Sequence, residues 1–222
     1  MRYEINGTTL QTLDIYLDSG ESVFTESGGM AWMKGNVEMS TNTRGGLLKG
    51  LARSLSGESL FLTTYTAKSP QSMITFTPEA PGSILPVALG NGESRICQKD
   101  AFMVAEDSVS LEMHFRRKLG TGLFGGEGFI LQKLTGPGIA WVEIAGEVRE
   151  YTLQAGETMQ VDPGHIAMSE NRPDTLDKPL AFFRHLYGEP AHHRLRCCQS
   201  YGVHAAYSFP LRAESQILQR RL

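Results

Sequence analysis

An all-β chain built from three similar lobes is the fold this sequence predicts, and three observations predict it. A Gly-Glu phrase recurs at Gly20-Glu21-Ser22, Gly92-Glu93-Ser94 and Gly156-Glu157-Thr158, each time ahead of an apolar run. A second series, Gly57-Glu58, Gly126-Glu127 and Gly188-Glu189, alternates with the first, each pair following one of its members. The segments that follow are rich in β-branched and aromatic residues, as in Leu60-Phe61-Leu62-Thr63-Thr64-Tyr65-Thr66, which suits strands rather than helices. The first series is spaced by 72 and then 64 residues, too long a period for most stacked-helix arrays. Each unit reads as a Gly-Glu turn into a strand, a hairpin, then a second Gly-Glu turn into another strand. The whole, residues 1–222, reads as one domain with internal repeats at roughly 1–50, 51–120 and 121–222.

Taken in order, Tyr3 and Ile5 alternate with polar neighbours, and Leu10, Leu13, Ile15 and Leu17 nearly keep period two, so the chain opens with short strands. Gly28-Gly29 turns into Met30-Ala31-Trp32-Met33. From Asn42 to Leu55, Leu47, Leu48, Leu51 and Leu55 fall at helical spacing, but glycines interrupt them and predict a short helix or a loop. Leu60–Thr66 and Met73–Thr77 read as partner strands around Ser69-Pro70. Prolines at 78, 81 and 86 punctuate the crossing into the second unit. Ile139–Ile144 and Val148–Leu153, joined at Gly146, read as a hairpin. After Glu189 come Pro190 and a polar, cationic stretch, which predicts a short or irregular last strand pair. Leu211 to Leu222 carries a partial helical stripe and predicts a terminal helix.

The bulk numbers are those of a soluble globular protein: 41% hydrophobic, 20% charged, net charge −3 and a pI near 6.1. That balance argues against general binding of nucleic acid or anionic membranes, which favours a basic surplus. No apolar run reaches the ~20 residues that span a bilayer, and the first residues lack the apolar core of a signal peptide. Three cysteines, Cys97, Cys197 and Cys198, make no disulfide framework and point to a reducing, cytoplasmic setting.

With Gly45-Gly46, Gly57-Glu58-Ser59-Leu60-Phe61-Leu62, Leu123-Phe124-Gly125-Gly126-Glu127-Gly128-Phe129, Leu134-Thr135-Gly136-Pro137-Gly138 and Leu153-Gln154-Ala155-Gly156-Glu157 in view, the chain resembles a known family. That family, a domain of unknown function, includes the mitochondrial biogenesis (altered inheritance of mitochondria) proteins and many small bacterial proteins. The resemblance covers roughly residues 10 to 190. It implies an all-β, pseudo-threefold sandwich or prism akin to the tryptophan RNA-binding attenuator protein, and it carries over no catalytic residues. Its mitochondrial members are linked to inner-membrane organisation, which implies a scaffold or assembly role.

Candidate sites divide into turn chemistry and weak ligand sets. The pairs Gly20-Glu21, Gly57-Glu58, Gly92-Glu93, Gly126-Glu127, Gly156-Glu157 and Gly188-Glu189 read as structural turns, with Gly supplying positive φ and Glu exposed or holding a backbone N–H. Gly120–Gly128 lacks the Gly-Lys-Ser/Thr of a phosphate loop. His192-His193 and Cys197-Cys198 lack the spacing of a zinc site, and His114, His165 and His185 are scattered. No nucleophile–base pair stands out. Trp32 and Trp141 read as lobe-core residues. No catalytic residue, metal or cofactor is therefore assigned. The leading expectation is a non-catalytic β scaffold or interaction protein that self-associates or takes a protein partner. The alternative is a binder of a small molecule or RNA in grooves between lobes; a cupin-like metal enzyme ranks third.

Overall fold

Burial patterns sort the strands into outer and inner ones. The computed structural model describes residues 1–26, 29–42, 62–117, 129–153, 158–161, 165–170, 182–184 and 193–199. Strand β1 (Arg2–Asn6) is largely exposed, whereas β2 (Thr12–Leu17) buries Leu13, Ile15 and Leu17 and leaves Thr12, Asp14 and Tyr16 half-covered. That alternation belongs to a sheet with one wet face. In β3 (Ser22–Glu26) Val23, Phe24 and Thr25 are buried in succession. Strand β4 (Met30–Lys34) is exposed from Ala31 onward, and β5 (Val37–Asn42) follows.

Across residues 43–61 lie the Leu-rich stretch expected as a helix or loop and the Gly57-Glu58 turn; both fall outside the described residues. Then come β6 (Leu62–Ala67), β7 (Ser72–Phe76), β8 (Gly82–Leu89) and β9 (Ser94–Gln98). The 3-10 turn Lys99–Ala101 leads into β10 (Phe102–Glu106), followed by β11 (Ser110–Arg117), β12 (Phe129–Thr135) and β13 (Gly138–Ala145). The last strands are β14 (Glu147–Leu153), β15 (Thr158–Gln160), β16 (Ile166–Ser169), β17 (Phe182–Arg184) and β18 (His193–Gln199). Among the described residues no helix is long and apolar enough to cross a membrane.

Among the described residues every pairing is antiparallel, and the strands form three sheets and a two-stranded ribbon. The first sheet has the order β1-β2-β7-β4, the second β5-β6-β3-β10-β13-β8, the third β11-β12-β9-β16-β18-β14, and the ribbon is β15-β17. The second sheet is the middle layer. One core, with Leu13, Ile15, Ile74, Phe76, Val104 and Trp141, joins it to the first sheet. A second core, with Phe24, Cys97, Phe102, Leu134, Val142 and Met168, joins it to the third. Both faces of β3 and β10 are therefore covered, which is why those strands read as unbroken apolar runs. Pro86 sits in β8, an edge strand, where its missing N–H removes no needed ladder bond.

The pairing scheme recurs along the chain. Leu17↔Ser72, between β2 and β7, returns as Leu89↔Gly138 between β8 and β13, and as Leu153↔His193 between β14 and β18. Ser22↔Thr66 returns as Ser94↔Thr135. The register shift at Met30/Trp32 in β4 returns at Phe102/Val104 in β10 and at Ile166/Met168 in β16. These recurring pairings run over residues 12–76, 82–145 and 147–199, windows displaced from the thirds expected from the turn spacing.

Four expectations change. Strands β6 and β7 are not partners: β6 pairs with β3 and β5, and β7 with β2 and β4. Likewise β13 and β14 form no hairpin, because β13 pairs with β8 and β10 while β14 pairs with β18. A tight turn between alternating segments serves equally for a hairpin and for a strand that crosses into the next sheet, and here Gly146, at φ 74°, makes the crossing. The last strand pair, expected to be short or irregular, is regular: β18 runs seven residues against β14. Pro190 precedes that strand and so takes nothing from its ladder, while Leu195 and Cys197 keep period two. The terminal stripe, 211–222, lies outside the described residues.

Fourth, the two tryptophans differ. Trp141 is fully buried, with the Tyr3 ring edge-on at 5.2 Å, whereas Trp32 is 51% exposed. Replacing each by Ala separates them: Trp141→Ala should cost about 3–5 kcal/mol and Trp32→Ala under about 1 kcal/mol in dilute protein. Urea unfolding measures both, and equal losses would contradict this placement.

Candidate functional site

The Gly-Glu turns come first, because the sequence singled them out. In Asp18-Ser19-Gly20-Glu21, Gly20 has φ 91° and the Glu21 N–H donates to the Asp18 carbonyl at 3.0 Å. The Glu21 side chain then reaches back, its Oε2 accepting the Asp18 N–H at 2.8 Å. Gly90-Asn91-Gly92-Glu93 repeats this: Gly92 has φ 76°, Glu93 N–H donates to Gly90 O at 3.1 Å, and Glu93 Oε2 accepts the Gly90 N–H at 2.8 Å. A left-handed residue closes the turn and a carboxylate caps the freed N–H, so both residue types are required at that spacing. The outer oxygens differ. Glu21 Oε1 takes the Met1 ammonium at 2.7 Å, and Glu93 Oε1 takes Arg95 at 2.7 Å.

Both carboxyls are held below the ordinary carboxylate range. For Glu21 the main cause is the hydrogen bond from the N-terminal ammonium; for Glu93 it is the Gly90 N–H, then Arg95. Glu21 and Glu93 hold their turns. The pairs Gly57-Glu58, Gly126-Glu127, Gly156-Glu157 and Gly188-Glu189 lie outside the described residues, and Gly188-Glu189 follows β17 in the chain, whereas Gly57-Glu58 and Gly126-Glu127 precede β6 and β12.

The Gly-Pro-Gly segment has a steric reason. Gly136 donates its N–H to Glu93 O at 2.9 Å, and a Cβ there would stand 2.6 Å from the Leu89 carbonyl oxygen, so the segment packs backbone to backbone against the Glu93 turn.

A cavity of about 310 Å³ opens where β3, β10 and β13 meet the 3-10 turn, near the lower end of ligand-pocket sizes. Its wall carries four acids, Glu26, Glu79, Asp100 and Glu143, and one base, Lys99. Glu143 accepts the Glu79 N–H at 2.8 Å. Burial pushes its carboxyl up to about 7; that N–H pulls the other way, and the charges of Glu79 and Asp100 add to the rise. Glu26 accepts a 2.6 Å hydrogen bond from the buried Gln132 amide. Beneath lies Cys97, fully buried, its thiol pushed up to about 12 by burial and then by the Glu26 charge. Such a thiol is inert as a nucleophile at neutral pH. The cavity can attract a cation and exchange a proton near pH 7.

Among the described residues, no three His, Cys, Asp or Glu side chains converge as a metal site would need. His114 lies on β11, while His165 is exposed just before β16. His185 lies outside the described residues, as does His192; His193 opens β18 with Cys197 and Cys198 further along it. The sequence reading missed the cavity. Its one local signal is Glu143 between Val142 and Ile144, a carboxylate inside an apolar strand.

The remaining feature is an edge. Strand β4 pairs on one side with β7, and among the described residues it has no ladder on the other. Ala31, Trp32, Met33 and Lys34 are exposed there, whereas the corresponding Met103, Val104 and Ala105 of β10 and Ala167, Met168 and Ser169 of β16 are buried.

Two pH profiles test the electrostatics. With folded pKa values below the unfolded ones, Glu21 and Glu93 add stability above the ordinary carboxylate range and lose it as pH falls through their folded pKa values. Glu21→Gln and Glu93→Gln should each cost under about 1 kcal/mol at pH 7, the difference from the parent vanishing in acid. A cost unchanged at low pH would refute the capping role. Glu143 has the opposite sign: its proton is held more tightly in the folded state, so stability falls as pH rises from about 4.5 to about 7. The loss is on the order of 2–3 kcal/mol, and Glu143→Gln should flatten it. Parallel parent and variant curves would contradict the buried carboxyl.

A family model described as mitochondrial biogenesis AIM24 matches residues 3–186. An uncharacterised protein of Streptococcus pyogenes serotype M6 is 31% identical over 175 residues, covering 75% of this chain and 69% of that protein. A crystal structure of a Streptococcus pyogenes protein is similar with a TM-score of 0.66 at 24% identity, covering 89% of this chain and 92% of that one, which is a likeness of fold. From the match over residues 3–186 and the streptococcal relative, the chain belongs to the mitochondrial biogenesis AIM24 family.

Proposed function

We propose that this protein is a non-catalytic β scaffold, an interaction protein that associates with itself through an open strand edge. One observation carries the reading: β4 exposes Ala31–Met33 where the corresponding Met103–Ala105 of β10 and Ala167–Ser169 of β16 are buried in strands paired on both sides. An exposed edge with apolar side chains is a template for another strand. The recurring registers support a pseudo-threefold arrangement of the three units, with the β4 edge as the position left open. The buried free thiol of Cys97 suits a reducing, cytoplasmic compartment. The net charge of −3 argues against general binding of nucleic acid, which favours a basic surplus.

A second reading, a small-molecule binder, is favoured by the acid-walled cavity, which suits a compact cationic ligand. Light scattering after size exclusion distinguishes the first reading. The mass should rise above the 24.4 kDa monomer as concentration increases, and Met33→Glu should shift the equilibrium back toward monomer. A monomer at every concentration, identical for parent and variant, would refute self-association.

A further inference from the structure

We infer that the acid-walled cavity binds a compact organic ammonium ion, with one oxygen of Glu143 as its anchor and Glu79 and Asp100 beside it. This rests on the small-molecule reading and adds the chemical class of the ligand, the anchoring residue and the pH dependence.

The wall has acceptors in excess of donors. Four acids and one base surround about 310 Å³. Glu143 Oε2 takes the Glu79 N–H at 2.8 Å, and among the described residues its Oε1 receives no hydrogen bond. Nor does any ion pair form at Glu79, Glu143 or Lys99 among those residues. A second acceptor points the same way. Gln132 is 1% exposed; its amide end is held at the cavity wall by the 2.6 Å bond from Nε2 to Glu26, and its Oε1 is buried without a hydrogen bond. Leaving a buried acceptor unpaired is costly. Surplus acceptors with surplus negative charge select a ligand that brings N–H donors and positive charge.

The rest of the lining decides the kind of cation. Met30, Phe102 and Met103 give the wall apolar surface. A hard divalent ion needs several converging oxygens, and among the described residues no three His, Cys, Asp or Glu side chains converge. An alkylammonium ion asks for less: a carboxylate for its charge and apolar wall for its carbons.

The charge on Glu143 sets the affinity. The charged groups around it in the wall are Glu79 from the loop before β8, Lys99 and Asp100 from the 3-10 turn, and Glu26 from β3. Strand β8, which pairs with it at Ile84, carries no charge. The one charge of β10, Glu106, stands at the other end of that strand and accepts the Ile139 N–H. Burial pushes the Glu143 carboxyl up to about 7, and Glu79 and Asp100 add to the rise. A bound ammonium favours the ionised carboxylate, so binding releases the proton and strengthens as pH rises through about 7.

Titration calorimetry of the full chain tests this with 1,4-diaminobutane, with 1,4-butanediol as its uncharged analogue and with calcium chloride. The diamine should bind about tenfold tighter at pH 8 than at pH 6, which follows the ionisation of Glu143 over that range, and the diol should not bind. Glu143→Gln should remove the pH dependence and weaken binding at pH 8. Asp100→Asn, at an exposed position that folding does not depend on, should weaken binding at both pH values. Diamine binding unchanged by both substitutions would place the ligand elsewhere and overturn the inference, as would calcium that binds and excludes the diamine. If the diol binds as tightly as the diamine, the ammonium class falls while the small-molecule reading stands. If none of the three binds at either pH, both fall.

Discussion

Everything in this fold depends on burying β3 and β10 on both faces. The two strands lie side by side at the centre of the middle sheet, joined through Phe24↔Ala105 and Val23↔Glu106. On one face Val23 and Val104 enter the core shared with the first sheet; on the other, Phe24, Phe102 and Ala105 enter the core shared with the third. A one-residue slip between them would exchange those faces and empty both cores together. The pairing is therefore specified by packing from two directions, and it is formed between units rather than within one.

Much of this was legible in residues. The glycines at 20 and 92 needed positive φ, and the glutamates after them supplied the missing acceptor, so turn position and turn chemistry could be read from three letters. Alternation in Thr12–Leu17 identified a strand with one wet face. The connections were not legible. Segments flanking Ser69-Pro70 and Gly146 look like hairpins because alternation reports only that a strand has two faces, not which sheet receives it. Trp32 misled for a related reason: its strand corresponds in register to β10 and β16, yet burial depends on whether the neighbouring strand is present.

The acid cavity shows the limit from the other side. Glu143 stands beside Val142 and Ile144, and sequence alone cannot say that Glu79 and Asp100 approach it, since they come from a loop and a 3-10 turn of other segments. Its elevated carboxyl follows from burial in a place the middle sheet creates. The capped turns lie at the opposite extreme. They are local and exposed, and their carboxylates are stabilised by N–H groups three residues away.

The central claim is that β4 is a strand edge awaiting a partner. Hydrogen exchange of the peptide spanning Ala31 to Lys34, followed as a function of protein concentration, tests it most directly. Strand β10, paired on both sides, is the internal reference. The account predicts amides in β4 that exchange quickly in dilute protein and become protected as concentration rises, while those of β10 stay slow throughout. Protection of β4 that matches β10 and does not vary with concentration would contradict it.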